Sequence, residues 1–345
     1  MCINFRSNPL SFVKAPDLTR FLILLILITG SLGATARTSG PAAEKERPTV
    51  NLSIFYSGCA CDDFKTLVIP IKRVQNLIII EAQIDTIIGN FILDTGSPIL
   101  VLNKTYFRKG WDTNLAAANA GGHSTAPVMR TRVNDFAIRE LYFEKLPADL
   151  NDLGHIENHR GIKILGLLGV SLFTSFEMVI DVHKSVLYLH KLDKTGTVPE
   201  SERIVKSEPS LKVPFKLIRN TITLDVVVGG KKLVFCVDTG AEANALSNRL
   251  PDGVLGTFQV SKRMVLVGTG GAQTEVLLGT VDDMQIGNRS FKNMHAAITR
   301  LDDLGEAYGR TIDGILGSNF LVKGIISINF VKKELRVHPF EVSKP

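Results

Sequence analysis

Two short stretches of this 345-residue chain carry side chains that could perform acid–base chemistry. The tripeptide Asp-Thr-Gly occupies residues 94–96 and occurs again at residues 238–240, 144 residues later. In both places the aspartate directly follows a short apolar run, so each carboxylate is expected at the end of a buried strand. Threonine and glycine after it permit a sharp turn, because glycine tolerates positive φ and close backbone approach.

A pair of such carboxylates can do chemistry that a single one cannot. One motif alone predicts only a turn that caps a strand. Two aspartates related by a twofold axis can lie about 3 Å apart and then share one proton, because like charges at that distance cannot both ionise. The ionised member serves as general base towards a water molecule, and the protonated member donates to the carbonyl oxygen of a peptide. Asp94 and Asp238 are therefore the candidate catalytic residues.

The chain contains the two copies of one unit that such symmetry requires. Residues 77–84 and 90–93 precede the first motif, and residues 221–228 and 233–237 precede the second, with Gly-Gly between the latter two. Their Ile, Val and Leu content and their short turns indicate strands.

A second shared landmark follows each motif. Gly-Leu-Leu-Gly at residues 166–169 matches Gly-Ile-Leu-Gly at residues 314–317 with an offset of 148. The same offset aligns residues 178–189 with residues 326–337, and both read as strand, turn and strand. Two motifs in such similar surroundings favour an internal duplication over coincidence.

The segments around both motifs resemble the active-site loops of aspartic peptidases, and tandem retropepsin-like aspartyl protease domains most of all. Residues 91–97 read Phe-Ile-Leu-Asp-Thr-Gly-Ser and residues 235–241 read Phe-Cys-Val-Asp-Thr-Gly-Ala. Residues 167–169 and 315–317 are similar to the second motif of that family, which threads behind the active-site loop. The resemblance covers nearly all of the chain beyond its N-terminal segment.

The resemblance implies an all-β fold, with two pseudo-twofold-related retropepsin-like β-barrel lobes, short helices, and an active-site cleft between the lobes. It implies an aspartic endopeptidase, a hydrolase whose catalytic pair is Asp94 and Asp238. Reciprocal hydrogen bonds between the threonines would lock the two loops together. The supporting loop residues would be Thr95, Gly96, Ser97, Thr239, Gly240 and Ala241.

Some features depart from the pepsin pattern. Each lobe is shorter than a pepsin lobe. Ser97 has Ala241 as its counterpart, so Asp238 is expected to lack one hydroxyl partner. The glycine pairs Gly121, Gly122 and Gly270, Gly271 are candidate tips of mobile flap hairpins, although neither segment has the tyrosine of a pepsin flap.

The N-terminus is typical of an exported protein. Residues 21–28 form an apolar run with Lys14 and Arg20 before it, and Ala-Thr-Ala follows at residues 34–36. This pattern predicts a cleaved secretory signal, with an uncleaved anchor as the alternative. We therefore expect a secreted or periplasmic protein with no membrane span after signal removal. The expected organisation is a signal peptide at 1–36, an N-terminal extension at 37–66, lobe 1 at 67–191, a solvated linker at 192–210 and lobe 2 at 211–341.

Composition and the remaining reactive residues narrow the function. With 45% apolar and 21% charged residues the chain is globular, and a net charge of +6 without a basic block gives no case for a nucleic acid partner. Four cysteines are too few for a disulfide scaffold. Cys236 is expected to be a buried small hydrophobe, and the role of Cys59 and Cys61 stays open. His155 and His159 are expected in a solvated loop rather than a metal site, so neither metal nor cofactor is predicted.

The leading prediction is a monomer with intramolecular lobe pairing that hydrolyses a peptide or protein substrate. One alternative is a catalytically inactive peptide-binding protein that retains the cleft. Another is that each lobe pairs with its twin in a second chain, which would make an obligate dimer. The sequence does not identify the substrate, because subsites in such clefts are formed by scattered loop residues.

Overall fold

The computed structural model of the chain describes residues 64–119, 122–267, 273–302 and 311–340. The predicted signal peptide, nearly all of the predicted extension, and Cys59 and Cys61 lie outside these ranges. Within them the chain forms mainly β-strands, together with three short α-helices. None of the helices in these ranges is both long and apolar enough to cross a membrane.

The first lobe contains ten strands and one helix among its described residues. The strands are β1 (Thr66–Val74), β2 (Leu77–Ile84), β3 (Ile87–Leu93), β4 (Leu100–Asn103), β5 (Trp111–Asn119), β6 (Gly122–Ile138), β7 (Leu141–Asn151), β8 (Gly166–Leu168), β9 (Phe176–Asp181) and β10 (Val186–Lys191), and the helix is α1 (Gly154–Arg160). A 3-10 turn at Val170–Leu172 follows β8.

The second lobe repeats this order. Its strands are β11 (Leu211–Pro214), β12 (Lys216–Ile218), β13 (Thr221–Val228), β14 (Lys231–Val237), β15 (Asn244–Ser247), β16 (Phe258–Val267), β17 (Gln273–Ile286), β18 (Arg289–Thr299), β19 (Gly314–Leu316), β20 (Ile325–Asn329) and β21 (Glu334–His338), and its described helices are α2 (Asp252–Leu255) and α3 (Ser318–Leu321). Between the lobes, residues 192–210 contain a 3-10 turn at Glu200–Glu202.

The strands predicted around the two motifs are confirmed. β2 and β13 have the predicted bounds, and both Gly229 and Gly230 adopt positive φ, at 57° and 73°, in the turn that follows β13. In each lobe the strand that leads into the motif pairs in parallel with a later short strand, β3 with β8 and β14 with β19. The prediction of an all-β fold of two related lobes is therefore confirmed.

Six strands join the lobes in the order β1-β10-β9-β20-β21-β11. They form one end of a 13-stranded sheet and are called the six-stranded sheet below. Its central pair, β9 and β20, is antiparallel, with Ile326 opposite Ile180 and Ile328 opposite Met178. The repeat offset exchanges these two pairs, so the pseudo-twofold axis passes between Val179 and Ser327, which face each other in the register. One symmetric sheet therefore fixes how the two lobes are oriented.

One large hydrophobic core runs through both lobes. Phe91 and Phe136 of lobe 1 and Phe235 and Phe320 of lobe 2 are fully buried in it. Cys236 is also fully buried, which confirms its prediction as a small core residue, and burial raises the pKa of its thiol well above the usual value. The strand ends that carry the two motifs are therefore set in a rigid, apolar frame.

The expected loop around His155 and His159 is wrong, because these residues lie in α1. The helix is anchored by Ile156, which is fully buried, and it ends at Gly161, whose φ of 65° suits a left-handed cap. The helix was not predicted because its segment is mostly polar, and only one apolar residue, Ile156, packs into the core.

Candidate active site

Each motif aspartate directly follows a core strand and is fixed by the short strand beside it. The backbone N–H of Asp94 donates to the carbonyl of Leu168, and that of Asp238 donates to the carbonyl of Leu316, both at 3.0 Å. The second landmark motif therefore lies behind the first in both lobes. The last residue of this landmark motif in lobe 1, Gly169, packs closely against the backbone of Ile99. A Cβ at Gly169 would lie 2.2 Å from the carbonyl oxygen of Ile99.

The two loops are joined at their threonines. The backbone N–H of Thr95 donates to Oγ1 of Thr239, and the N–H of Thr239 donates to Oγ1 of Thr95, each at 3.0 Å. Each hydroxyl also donates across the lobe boundary, Thr95 to the carbonyl of Val237 at 2.8 Å and Thr239 to that of Leu93 at 2.7 Å. Four buried hydrogen bonds related by the pseudo-twofold axis hold the strand ends together.

This junction brings the buried carboxyl groups of Asp94 and Asp238 close to each other. Each loop glycine packs against the opposite carboxylate. A Cβ on Gly96 would lie 2.6 Å from Oδ2 of Asp238, and a Cβ on Gly240 would lie 2.7 Å from Oδ1 of Asp94. Glycine is therefore required here for close approach rather than for positive φ.

Backbone N–H groups orient both carboxyl groups, and a hydroxyl group adds a donor to Asp94. Oδ1 of Asp94 accepts from the N–H groups of Gly96 and Ser97, and its Oδ2 accepts from the Ser97 hydroxyl at 2.9 Å. Oδ1 of Asp238 accepts from the N–H of Gly240 at 2.8 Å. Ala241 takes the place of the serine in this second loop and is fully buried. The pair is thus related by symmetry in its backbone but not in its hydroxyl donors.

Burial sets the protonation of the pair. Only 3% of Asp94 and 5% of Asp238 is exposed. Burial raises the pKa of Asp94 well above its usual value, and the negative charge of Asp238 raises it further. Burial also raises the pKa of Asp238, against the lowering effect of the hydrogen bonds from Asp94 and the loop backbone. These effects favour a state in which the two carboxyls share one proton. The titration is then a property of the pair and not of either residue.

Of the candidate flap glycines, the structure describes Gly122. Gly122 begins β6 and lies opposite Asn119 of β5. The corresponding hairpin joins β16 to β17, with Val267 opposite Gln273. Gly121, Gly270 and Gly271 lie outside the described residues.

A charged pair that the sequence did not predict lies beside the second loop. The carboxylate of Glu242 contacts the guanidinium group of Arg160 at the end of α1, and both side chains are almost fully buried. Burial raises the pKa of Glu242 to about 7, although Arg160 acts in the opposite direction. The substitution of Glu242 for Pro98 of the first loop was a visible signal. Its partner, 82 residues away, could not be read from the sequence.

Two β lobes that meet at paired Asp-Thr-Gly loops form the arrangement that the resemblance to aspartic peptidases implies. Residues 224–320, which include the second motif, match the family model described as aspartyl protease. Lobe 2 is thus similar in sequence to aspartyl protease domains. Among solved structures, basic 7S globulin from soybean is similar at 8% identity and a TM-score of 0.44, over 79% of this chain and 95% of that one. No curated protein matches the chain.

Proposed function

We propose that this protein is an aspartic endopeptidase that hydrolyses peptide bonds with a water molecule activated by Asp94 and Asp238. The observation that supports the proposal is the close approach of these two buried carboxyls at the junction of two symmetric loops, where each loop glycine lies against the opposite carboxylate. A pair that shares one proton contains both a base and an acid at the same place, which is what hydrolysis of an amide by water requires.

The proposed reaction uses the pair in both roles. The ionised carboxylate takes a proton from water as the oxygen attacks the peptide carbonyl carbon, and the protonated carboxyl donates its proton to the carbonyl oxygen. The tetrahedral gem-diol collapses when the carboxylate that is now ionised takes a proton from one of its hydroxyls and the C=O bond re-forms. The C–N bond breaks, and the leaving nitrogen receives the proton that the other carboxyl took from water, so the pair again holds one proton. The loop N–H groups that donate to the carboxyls of Asp94 and Asp238 keep these carboxyls in place throughout, so little reorganisation is needed in the transition state.

The proposal is tested by replacing each aspartate with the isosteric amide. Asp94→Asn and Asp238→Asn should each reduce cleavage of a peptide library by at least about a thousandfold, because each leaves the pair without one of its two roles. Circular dichroism should show an unchanged fold. Near-normal cleavage by either folded variant would contradict the assignment.

The wild-type protein also distinguishes the enzyme from an inactive peptide-binding relative. A statine-type transition-state analogue should raise the melting temperature, and turnover should show a bell-shaped pH profile whose limbs belong to the carboxyl pair. Stabilisation by the analogue without cleavage between pH 3 and pH 8 would instead identify a binding protein.

A further inference from the structure

A buried contact between the lobes lies directly beside the second aspartate loop, here called loop 2 (residues 238–243). The side chains of Arg160 and Glu242 are 1% and 0% exposed. The backbone carbonyl of Glu242 also accepts from Nδ2 of Asn76 at 3.1 Å, in the turn between β1 and β2. Two separate elements of lobe 1 therefore hold the same residue of loop 2, one through its side chain and one through its backbone.

Among the described residues, the first aspartate loop has no such attachment at the equivalent position. The repeat offset places Pro98 where loop 2 has Glu242, and proline has neither a charge nor a side-chain hydrogen-bonding group. On its other side, loop 2 is fastened to its own lobe, because the carbonyl of Ala241 accepts from the N–H of Ser318 in α3 at 2.9 Å. Loop 2 is thus held between α3 of lobe 2 and α1 of lobe 1.

We infer that Arg160 and Glu242 are positioning residues, which hold loop 2 so that the carboxyl of Asp238 meets that of Asp94 in productive geometry. This inference rests on the proposed function and adds residues to it that do not touch the reacting atoms. The physical reason is that the reaction tolerates only a small displacement of its catalytic groups. A displacement of about 1 Å can lower the rate about a hundredfold, and Glu242 is only four residues from Asp238.

The energetics of the contact agree with this role. Oε2 of Glu242 is buried and has no hydrogen-bond partner in the described part of the chain. A buried charged pair with such a defect adds little stability compared with apolar residues of similar volume. Below neutral pH, the protonated carboxyl of Glu242 can still accept from Arg160, so the contact does not require the ionised form.

The test separates hydrogen bonding from packing. Glu242→Ala removes the acceptor, whereas Glu242→Gln retains one of nearly the same shape. We expect kcat to fall at least tenfold in Glu242→Ala with KM within twofold, and to stay within threefold of wild type in Glu242→Gln. The double variant Arg160→Met/Glu242→Leu replaces the contact with an apolar pair, so it should fold stably but still show the tenfold lower kcat.

Glu177 provides a matched control. It contacts Arg336 across the lobe boundary at 3.3 Å, within the six-stranded sheet rather than at the loops, and both side chains are largely buried. Glu177→Ala should lower the melting temperature but leave kcat within twofold. The inference is overturned if the folded double variant has wild-type kcat, or if Glu177→Ala lowers kcat as much as Glu242→Ala does.

A readout independent of turnover keeps the inference separate from the proposed function. Carbon-13 carboxyl NMR follows the titration of Asp94 and Asp238 in the intact protein. Glu242→Ala should change the proton affinity of the pair about tenfold, and Glu177→Ala should not. If the wild type cleaves no peptide, the proposed function fails, while the positioning role still stands or falls on this titration. An unchanged titration in Glu242→Ala overturns it.

Discussion

At the residue scale, the two aspartates combine strong burial with mutual repulsion. Each would be costly to ionise alone in this environment, and both together far more so. The loops offset part of this cost by aiming backbone N–H groups at Oδ1 of each carboxyl. Ionisation of the site therefore costs free energy, and interactions in the rest of the fold must offset this cost.

This arrangement predicts a particular dependence of stability on pH. The pKa values of Asp94 and Asp238 are raised in the folded state. Their contribution to stability is therefore complete below the unfolded value of about 3.8 and is lost as the pH rises through the folded values. Asp94→Asn removes one of the two carboxyls whose ionisation is disfavoured by folding, so this variant should melt several degrees above wild type at pH 7. The difference should shrink towards pH 4.

Differential scanning fluorimetry between pH 4 and pH 8 measures the effect. About 1 kcal/mol corresponds to roughly 2–4 °C in domains of 150–250 residues, so a difference of this size is readily detected. Asp238→Asn should behave in the same way, because burial raises the pKa of both carboxyls. If both variants melt below wild type at pH 7, ionisation of the pair does not destabilise the folded protein.

At the element scale, the tight turns after β3 and β14 do the positioning. Gly96 and Gly240 let each loop pass close to the opposite carboxylate. A Cβ at either position would lie nearer to that carboxylate than packed Cβ atoms do in proteins. Gly96→Ala must therefore displace either its own loop or Asp238. We expect a loss of about a hundredfold in kcat/KM, in line with a displacement of about 1 Å.

Gly253→Ala is the matched control for this change. Gly253 lies in α2, and a Cβ there would meet nothing within 4 Å. Because alanine favours a helix over glycine, this variant should keep full activity and equal or higher stability. If Gly96→Ala also retained full activity, the close packing of the two loops would not matter for the reaction.

The elements also show how far the sequence alone could lead. Strands β2 and β13 and the turn at Gly229 were predictable, because apolar strand patterns repeat at a fixed offset. The meeting of Asp94 with Asp238 followed from the same duplication. Helix α1 and the contact of Arg160 with Glu242 were not predictable. A helix with one buried apolar residue has little hydrophobic periodicity, and ion pairing between distant segments leaves no local signal.

At the scale of the whole molecule, the pairing of β9 with β20 makes the two halves one unit. The pseudo-twofold axis passes through this central pair, and the loop junction obeys the same symmetry within one chain. Covalent linkage gives the two lobes a high effective concentration, so their association does not depend on that of the protein. We therefore propose that the protein works as a monomer.

Mixing two inactive variants tests this directly. Asp94→Asn and Asp238→Asn each keep one intact lobe motif. If lobes paired between chains, unfolding and refolding the two variants together would produce some sites with both aspartates and restore a substantial fraction of wild-type activity. Because the structure closes both loops within one chain, we expect the refolded mixture to remain as inactive as either variant alone. Co-refolded wild type is the control for recovery, and activity rising with protein concentration in the mixture would establish exchange of lobes between chains.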